Sequence, residues 1–230
     1  MKPVVKKLIN KVIVSCQAYE DTPLYGSDYM KKMAESALIG GAAGIRACWP
    51  QDIKAIRELG DFPIVGINKI WSDGPDNIFI TPTFESAKEI IEAGTDIVAL
   101  DCTVNEYRTK QQLADLLKRI RFEYPNIAIM ADCATYEECV FLDENQLVDI
   151  LSTTLSTVNS EVEKPDLALI RKIKSNLKLP VNAEGRIWEQ QDLADVLAAG
   201  ADMVTIGTAI TRPQLITKRF VDTNKSFWGL

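Results

Sequence analysis

The 230-residue chain contains 47% hydrophobic and 25% charged residues, ordinary globular values that argue against disorder or a fibrous repeat. No apolar run approaches the roughly 18 residues of a membrane helix, and residues 1–16 lack the long apolar stretch of a signal peptide. With 26 basic and 32 acidic residues the net charge is −6, which disfavours broad binding to the phosphate backbone of nucleic acids.

The chain has no histidine, and this absence excludes several kinds of catalytic site. Ser-His-Asp triads, Cys-His pairs and zinc sites with histidine ligands are ruled out. If the protein is an enzyme, lysine, carboxylate, tyrosine or thiol groups must move the protons. The cysteines are odd in number and lack CxxC spacing: Cys16, Cys48, Cys102, Cys133 and Cys139. This pattern predicts reduced thiols in the cytoplasm, used for packing, and no metal site.

Short apolar segments predict eight strands, at positions 12–16, 43–46, 64–67, 97–100, 127–130, 148–151, 180–183 and 203–206. Strands that are apolar almost throughout are typical of a parallel sheet covered by helices. The intervening segments have helical periodicity. They also carry capping signals, such as Thr135 three residues before Glu138.

A weak internal repeat supports an alternating architecture. Ala-Gly-Thr-Asp-Ile-Val-Ala-Leu at 93–100 resembles Ala-Gly-Ala-Asp-Met-Val-Thr-Ile at 199–206, and no linker divides the chain. We therefore predict one α/β domain over residues 1–230, a (β/α)8 (TIM) barrel whose eight units occupy about residues 12–222. A doubly wound open sheet is the alternative, but the chain lacks a dinucleotide glycine fingerprint.

Polar residues follow almost every predicted strand. In such barrels the functional site lies where strands end and βα loops begin. The candidates at these ends are Gln17, Arg46, Lys69, Asp101, Asp132, Thr153, Thr154, Glu184, Gly207 and Thr208. A barrel rim also needs solubilising groups, so any single one of them has a structural alternative.

Lys69 and Glu184 carry the clearest chemical signal among these residues. Lys69 ends the third predicted strand, where its amine can serve as a base or form an ion pair with Asp101 or Glu184. Glu184 ends the seventh, and a carboxylate placed after a buried strand is costly unless it is paired. It therefore either holds a partner or takes part in chemistry.

The loops after strands seven and eight have the features of a phosphate site. Gly185-Arg186 and Gly207-Thr208 occupy the place where these barrels usually bind phosphate through backbone N–H groups. Arg212, predicted in the first turn of the next helix, can add a bidentate contact. Each glycine alone is a weak signal, whereas their pairing across two strands is more specific.

A set of motifs in this order resembles the N-acetylmannosamine-6-phosphate 2-epimerase family over about residues 12–222. The matching segments are Val-Ser-Cys-Gln-Ala (14–18), Gly-Ile-Arg-Ala (44–47), Val-Gly-Ile-Asn-Lys (65–69), Ile-Thr-Pro-Thr (80–83), Ala-Leu-Asp-Cys-Thr (99–103), Met-Ala-Asp (130–132), Ser-Thr-Thr-Leu-Ser (152–156), Ala-Glu-Gly-Arg-Ile (183–187), Ala-Ile-Thr-Arg-Pro (209–213) and Ile-Thr-Lys-Arg-Phe-Val (216–221). Together these motifs are specific.

The resemblance implies an epimerase of amino-sugar and sialic acid breakdown that needs no cofactor and acts on a 6-phosphorylated N-acetylhexosamine by moving the C2 proton. It implies that Lys69 and Glu184 are catalytic. It also implies that Gln17, Arg46 and Asp132 line the sugar site and that Gly185, Arg186, Gly207, Thr208 and Arg212 meet the phosphate. The expected partner is this small phosphosugar, with neither nucleic acid nor membrane, and a homodimer stays open.

The chain departs from the family's usual pattern at three places: Cys48-Trp49, Ile70 and Thr157-Val158-Asn159. Two other functions therefore stay open, another phosphosugar epimerase and a barrel that binds a phosphosugar without catalysis. Retention of both Lys69 and Glu184 favours an enzyme.

Overall fold

The computed structural model describes residues 1–71, 78–105, 108–156 and 163–229. Its strands are β1 (Val12–Cys16), β2 (Gly44–Cys48), β3 (Ile64–Ile67), β4 (Lys69–Trp71), β5 (Ile78–Ile80), β6 (Ile97–Asp101), β7 (Ala128–Asp132), β8 (Ile150–Ser152), β9 (Val181–Glu184) and β10 (Met203–Ile206). Within the described residues, eight parallel strands close into a barrel in the order β1-β10-β9-β8-β7-β6-β3-β2. The predicted (β/α)8 barrel is confirmed.

Helices cover the outside of the barrel, except for the first, which precedes β1 and lies at one end of the barrel. They are α1 (Pro3–Leu8), α2 (Ser27–Ile39), α3 (Pro50–Arg57), α4 (Phe84–Glu92), α5 (Lys110–Glu123), α6 (Tyr136–Glu144), α7 (Leu167–Asn176), α8 (Gln190–Ala198), α9 (Thr208–Thr211) and α10 (Pro213–Trp228). The predicted capping box at Thr135 and Glu138 begins α6. None of the helices in the described part of the chain is long and apolar enough to cross a membrane.

The apolar residues form two clusters, one inside the barrel and one between its strands and the helices. On β3 the side chains alternate: Val65 and Ile67 belong to the first cluster and Ile64 to the second. Gly66 faces Thr95, whose Oγ1 would lie 2.1 Å from an added Cβ. A larger residue at Gly66 would force the strand and Thr95 apart.

The short N-terminal helix α1 covers the end of the barrel where the strands begin. Its Val5 and Leu8 are fully buried in the cluster inside the barrel. Just before the helix, the Lys2 amine donates hydrogen bonds to the carbonyls of Pro125 (2.8 Å) and Ile127, close to the start of β7. The opposite end of the barrel, where the strands finish, carries the polar side chains.

Lys69 lies on a small hairpin rather than at the end of a barrel strand, which corrects the prediction. β3 ends at Ile67, and Lys69 begins β4, which pairs antiparallel with β5. At the base of this β4–β5 hairpin, the Thr81 N–H donates to the Asn68 carbonyl (2.8 Å) and the Asn68 N–H donates to Thr81 Oγ1 (3.0 Å). The Thr81 hydroxyl in turn donates to the Ala99 carbonyl (2.7 Å). These bonds attach the hairpin to β6.

Arg212 is not in the first turn of a helix, because Pro213 interrupts the helical path. Thr208–Thr211 forms the separate helix α9, and α10 begins at Pro213. A proline disfavours the helical conformation of the residue before it, and Arg212 accordingly has φ −122° and ψ 76°. Arg212 therefore lies at the junction between two helices, with an extended backbone.

Candidate active site

A polar cavity of about 410 Å³ opens where the barrel strands end. It is lined by Ser15, Gln17, Tyr19, Lys69, Glu184, Gly185, Arg186, Ile187, Trp188, Thr205, Ile206, Gly207, Thr208, Thr211 and Arg212. Every residue that the family resemblance assigns to the site is on this wall except Arg46 and Asp132, whereas the strand-end candidates Asp101, Thr153 and Thr154 are not on it. The strand-end pattern and the two glycine loops thus meet in one place, as barrel topology requires.

Arg46 and Asp132 are buried beside Glu184. Arg46 donates to both Asp132 oxygens, with Nη1–Oδ1 at 3.2 Å and Nη2–Oδ2 at 2.6 Å. Its Nη1 also lies 3.2 Å from Glu184 Oε2. The Arg46 and Asp132 side chains are only 1% and 0% exposed. This geometry favours a role in holding Glu184, while direct contact of Arg46 or Asp132 with a sugar stays a prediction.

Burial makes Glu184 unusually easy to protonate. Loss of water raises the pKa of its carboxyl from 4.5 to about 7, against the opposing attraction of Arg46 and with a further increase from the Asp132 charge. The Thr154 hydroxyl lies 2.7 Å from Asp132 Oδ1 and 3.3 Å from Glu184 Oε2, and Asn182 Nδ2 lies 3.3 Å from the same Glu184 oxygen. A carboxyl with a pKa near neutrality can both give and take a proton at cellular pH.

The Lys69 amine faces an aromatic residue. Its Nζ donates to the Tyr19 hydroxyl at 2.5 Å, and its carbonyl accepts from the Trp49 indole N–H at 3.0 Å. Across the described residues, Lys69 forms no salt bridge with Asp101 or Glu184. Asp101 instead pairs with Arg108 at 3.3 Å and accepts two hydrogen bonds from Thr103. The ion-pair alternative for Lys69 is therefore wrong.

The loops predicted to bind phosphate adopt conformations suited to their glycines. Gly185 has φ 109°, a region that other residues rarely adopt. Arg186 follows with φ 58°, and its Nη1 donates to the Ser156 carbonyl at 3.0 Å. Gly207 passes close to β1, where an added Cβ would lie 3.3 Å from that of Ser15. Both loops thus bring main chain and arginine to one side of the cavity.

Gln17 presents an unused acceptor to the site. Its Nε2 donates to Ser15 Oγ at 2.7 Å. Its Oε1 is buried and accepts no hydrogen bond from the residues described. A buried acceptor of this kind is costly unless a water or ligand satisfies it, which supports Gln17 as a contact for a polar substrate.

All five cysteines are buried free thiols. Burial raises the pKa of Cys16 and of Cys48 to about 12 each, so their reactive thiolate forms are scarce near neutrality. Within the described residues no group of three or more acidic or thiol side chains is placed to hold a metal ion. The cysteines pack in the core, as predicted.

Those departures from the family pattern that fall on described residues lie around Lys69. Trp49 contacts the Lys69 carbonyl, Cys48 is buried inside the barrel, and Ile70 is 39% exposed. Thr157-Val158-Asn159 lies outside the described residues. Sequence analysis assigned no role to Tyr19 or to the indole of Trp49. The one available signal for Tyr19 was its position just after β1, two residues beyond Gln17.

The strand-end cavity of this parallel barrel holds an amine, a carboxyl with a pKa of about 7 and two arginines, an arrangement typical of TIM-barrel enzymes. Residues 30–226 match the family described as "Putative N-acetylmannosamine-6-phosphate epimerase". The chain belongs to this N-acetylmannosamine-6-phosphate epimerase family.

Individual relatives agree with this membership. A protein of Caldanaerobacter subterraneus subsp. tengcongensis named "Putative N-acetylmannosamine-6-phosphate 2-epimerase" is 43% identical over 221 residues, covering 95% of this chain and 92% of its own. One of the same name from Shouchella clausii is 42% identical over 227 residues, covering 96% and 99%.

The solved structures extend the comparison to the fold. The N-acetylmannosamine-6-phosphate 2-epimerase of Clostridium perfringens superposes with a TM-score of 0.85 at 37% identity, covering 95% of each chain. An aldolase named QR15 shares 19% identity with a TM-score of 0.67, covering 96% of this chain and 99% of its own, and is similar in fold alone.

Proposed function

We propose that the protein interconverts N-acetylmannosamine 6-phosphate and N-acetylglucosamine 6-phosphate without a cofactor, as an isomerase of amino-sugar breakdown. The observation that carries the proposal is that an amine, Lys69, and a carboxyl, Glu184, lie on the wall of the same cavity. The pKa of Glu184 is raised to about 7. The names of the relatives, which share about two fifths of the sequence, support this choice of substrate.

The reaction follows from the acidity of a carbon next to an aldehyde. Opening of the pyranose ring exposes the C1 aldehyde, which acidifies the C2 proton. Lys69 removes that proton, and the electrons of the C2–H bond form an enolate in which C1 and C2 share a double bond and the C1 oxygen carries the negative charge. Return of a proton to the opposite face of C2 inverts the centre. The ammonium formed on Lys69 stabilises the enolate charge, because Arg46 is already paired with Asp132 and Glu184.

Glu184 supplies the second proton transfer. Its carboxyl either moves the proton needed for ring opening or delivers one to the far face of C2. Both roles suit a group with a pKa of about 7, since protonated and ionised forms coexist at neutral pH. Arg46 and Thr154 contact this carboxyl, and Asp132 holds both of them in place.

Proton NMR of N-acetylmannosamine 6-phosphate in heavy water tests the reaction directly. We expect the C2–H signal to be lost or transferred as N-acetylglucosamine 6-phosphate forms, with no added metal or nucleotide. Activity that disappears with a chelator and returns with one divalent ion would contradict the cofactor-free mechanism. Binding without any C2 exchange would favour a non-catalytic barrel. Turnover of a different phosphosugar alone would favour another epimerase.

The phosphate is proposed to bind Arg186, Arg212 and the main chain of the two glycine loops. Because this contact is far from C2, its energy is felt similarly in the ground and transition states. Arg212→Ala is therefore expected to raise KM much more than it lowers kcat, by about 2–3 kcal/mol in kcat/KM. Steady-state kinetics on both phosphosugars measure this.

The exposed Arg171 on α7 provides a matched control for Arg212, since Arg171→Ala removes the same group away from the cavity. An unchanged KM in Arg212→Ala would refute the phosphate assignment. Equal turnover of unphosphorylated N-acetylmannosamine by the wild-type protein would refute it as well.

A homodimer and a cytoplasmic location stay proposals. The homodimer is supported by α10, all of whose residues are described and none of which is buried. Its Phe220, Phe227 and Trp228 are 74%, 79% and 67% exposed, a concentration of apolar surface that a second chain would cover. The molecular mass in solution decides this point.

The cytoplasmic location is supported by the five free thiols.

A further inference from the structure

Tyr19 lies between two cations of the cavity. Its hydroxyl accepts a hydrogen bond from Lys69 Nζ at 2.5 Å, and the same Nζ lies 5.0 Å from the centre of its ring. The Arg212 guanidinium carbon is also 5.0 Å from that centre. Lys69 thus contacts both the hydroxyl and the ring of Tyr19, whereas Arg212 contacts the ring.

Trp49 contacts both Lys69 and Tyr19. Its indole N–H donates to the Lys69 carbonyl (3.0 Å), and its backbone N–H donates to the Ile67 carbonyl (2.9 Å). Its ring meets Tyr19 edge to face at 6.1 Å. Trp49 has φ 67°, a strained conformation for a large residue that persists only when surrounding contacts hold it. These contacts span the point where the chain leaves β3 for the hairpin.

We propose that Tyr19 and Trp49 are positioning residues for Lys69, an inference that rests on the proposed function of this lysine. A hydroxyl can both accept and donate a hydrogen bond. The Tyr19 hydroxyl accepts a hydrogen bond from Lys69 when the amine is protonated and donates one to Lys69 when the amine is neutral. Tyr19 therefore keeps Nζ in place while the proton moves between Lys69 and C2, and Trp49 holds the Lys69 main chain and the Tyr19 ring.

Tyr19→Phe separates this role from substrate binding. The variant removes the hydroxyl but keeps the ring beside Arg212 and Trp49. We expect kcat for C2 exchange to fall about 10- to 100-fold, because a misplaced base loses orientation, while KM changes less than about 3-fold. Trp49→Phe, which removes the indole N–H, is expected to lower kcat about 3- to 10-fold.

Tyr25→Phe is the matched control. Tyr25 also meets Trp49 edge to face, at 6.4 Å, but its hydroxyl is 3.5 Å from Glu20. Removing this hydroxyl leaves the Lys69 contact intact, so we expect wild-type kcat and KM. Thermal unfolding of all three variants identifies any loss of kcat that arises from a damaged fold.

A second measurement does not depend on activity. The rate at which acetic anhydride acetylates Lys69, followed by peptide mass spectrometry, should rise about 3-fold or more in Tyr19→Phe because the amine loses its partner. It should not change in Tyr25→Phe. An unchanged kcat or an unchanged Lys69 labelling rate in Tyr19→Phe overturns the inference. If the wild-type protein exchanges no C2 proton, the proposed function fails and the labelling comparison alone decides the positioning role.

Discussion

Lys69→Met is expected to abolish C2 exchange, with a fall in kcat of about 10³-fold or more, because the variant has no base to remove the proton. Of the described residues on the cavity wall, Lys69 is the one with a primary amine. Methionine keeps the length and packing of the side chain. Loss of the half-exposed charge should lower the free energy of unfolding by about 1 kcal/mol or less. Deuterium incorporation at C2 and thermal unfolding measure the two effects.

Lys54→Met is the control for this substitution, since Lys54 is an exposed lysine on α3. It should exchange the C2 proton at the wild-type rate. If Lys69→Met keeps most of the activity, Lys69 has no part in the mechanism and another group must remove the proton.

Glu184→Gln is expected to lower kcat by about 10²-fold or more, because an amide cannot exchange a proton as a carboxyl does. The same substitution should make the protein more stable at pH 8, where the wild-type protein carries a buried carboxylate in a site that prefers the neutral form. We expect a gain in the free energy of unfolding of about 2 kcal/mol at that pH. Activity and stability thus change in opposite directions.

The pH dependence of this gain follows from the direction of the shift. Folding raises the pKa of Glu184 from 4.5 to about 7, so the folded protein binds this proton more tightly than the unfolded chain. The contribution of Glu184 to the free energy of unfolding of the wild-type protein is fully present below pH 4.5 and is lost as the pH rises through about 7. The advantage of Glu184→Gln should therefore grow between pH 5 and pH 8.

Urea unfolding at pH 5 and pH 8 measures this change. Glu144→Gln, an exposed carboxyl at the end of α6, should show no such growth. A Glu184→Gln variant that is less stable than wild type at pH 8 would show that the ion pair with Arg46 outweighs the cost of burial.

The barrel was predictable because each of its strands is a short, nearly continuous apolar run. The observed strands β2 and β7 differ from the predicted segments by one or two residues at their ends. The β4–β5 hairpin was missed because its three-residue strands, Lys69–Trp71 and Ile78–Ile80, are too short to show a period. Arg212 was predicted in the first turn of a helix, but Pro213 disfavours the helical conformation of the residue before it, so Arg212 lies between α9 and α10.

The residues of the candidate site could be predicted from the sequence, but the contacts between them could not. Glu184 ends β9 and Lys69 follows the end of β3 by two residues. Both could be predicted near one cavity because the strand ends of a parallel barrel meet at one edge. Arg46 and Asp132 lie on β2 and β7, which are not neighbours in the barrel. Their pairing depends on how the long Arg46 side chain reaches Asp132 inside the barrel, and no spacing along the chain encodes that. Tyr19 belongs to the loop after β1, and its position there does not show that its hydroxyl contacts Lys69.

The position of the Lys69 amine is determined by the β4–β5 hairpin and not by a barrel strand. The register of the hairpin is set at its base, by the bonds between Asn68 and Thr81 and by the bond from Thr81 to Ala99. The segment 72–77 that joins its strands can therefore gain or lose residues without moving the amine, whereas an insertion beside Asn68 would displace it. The position of the Lys69 amine can thus be inherited unchanged while the connection between the two strands varies in length.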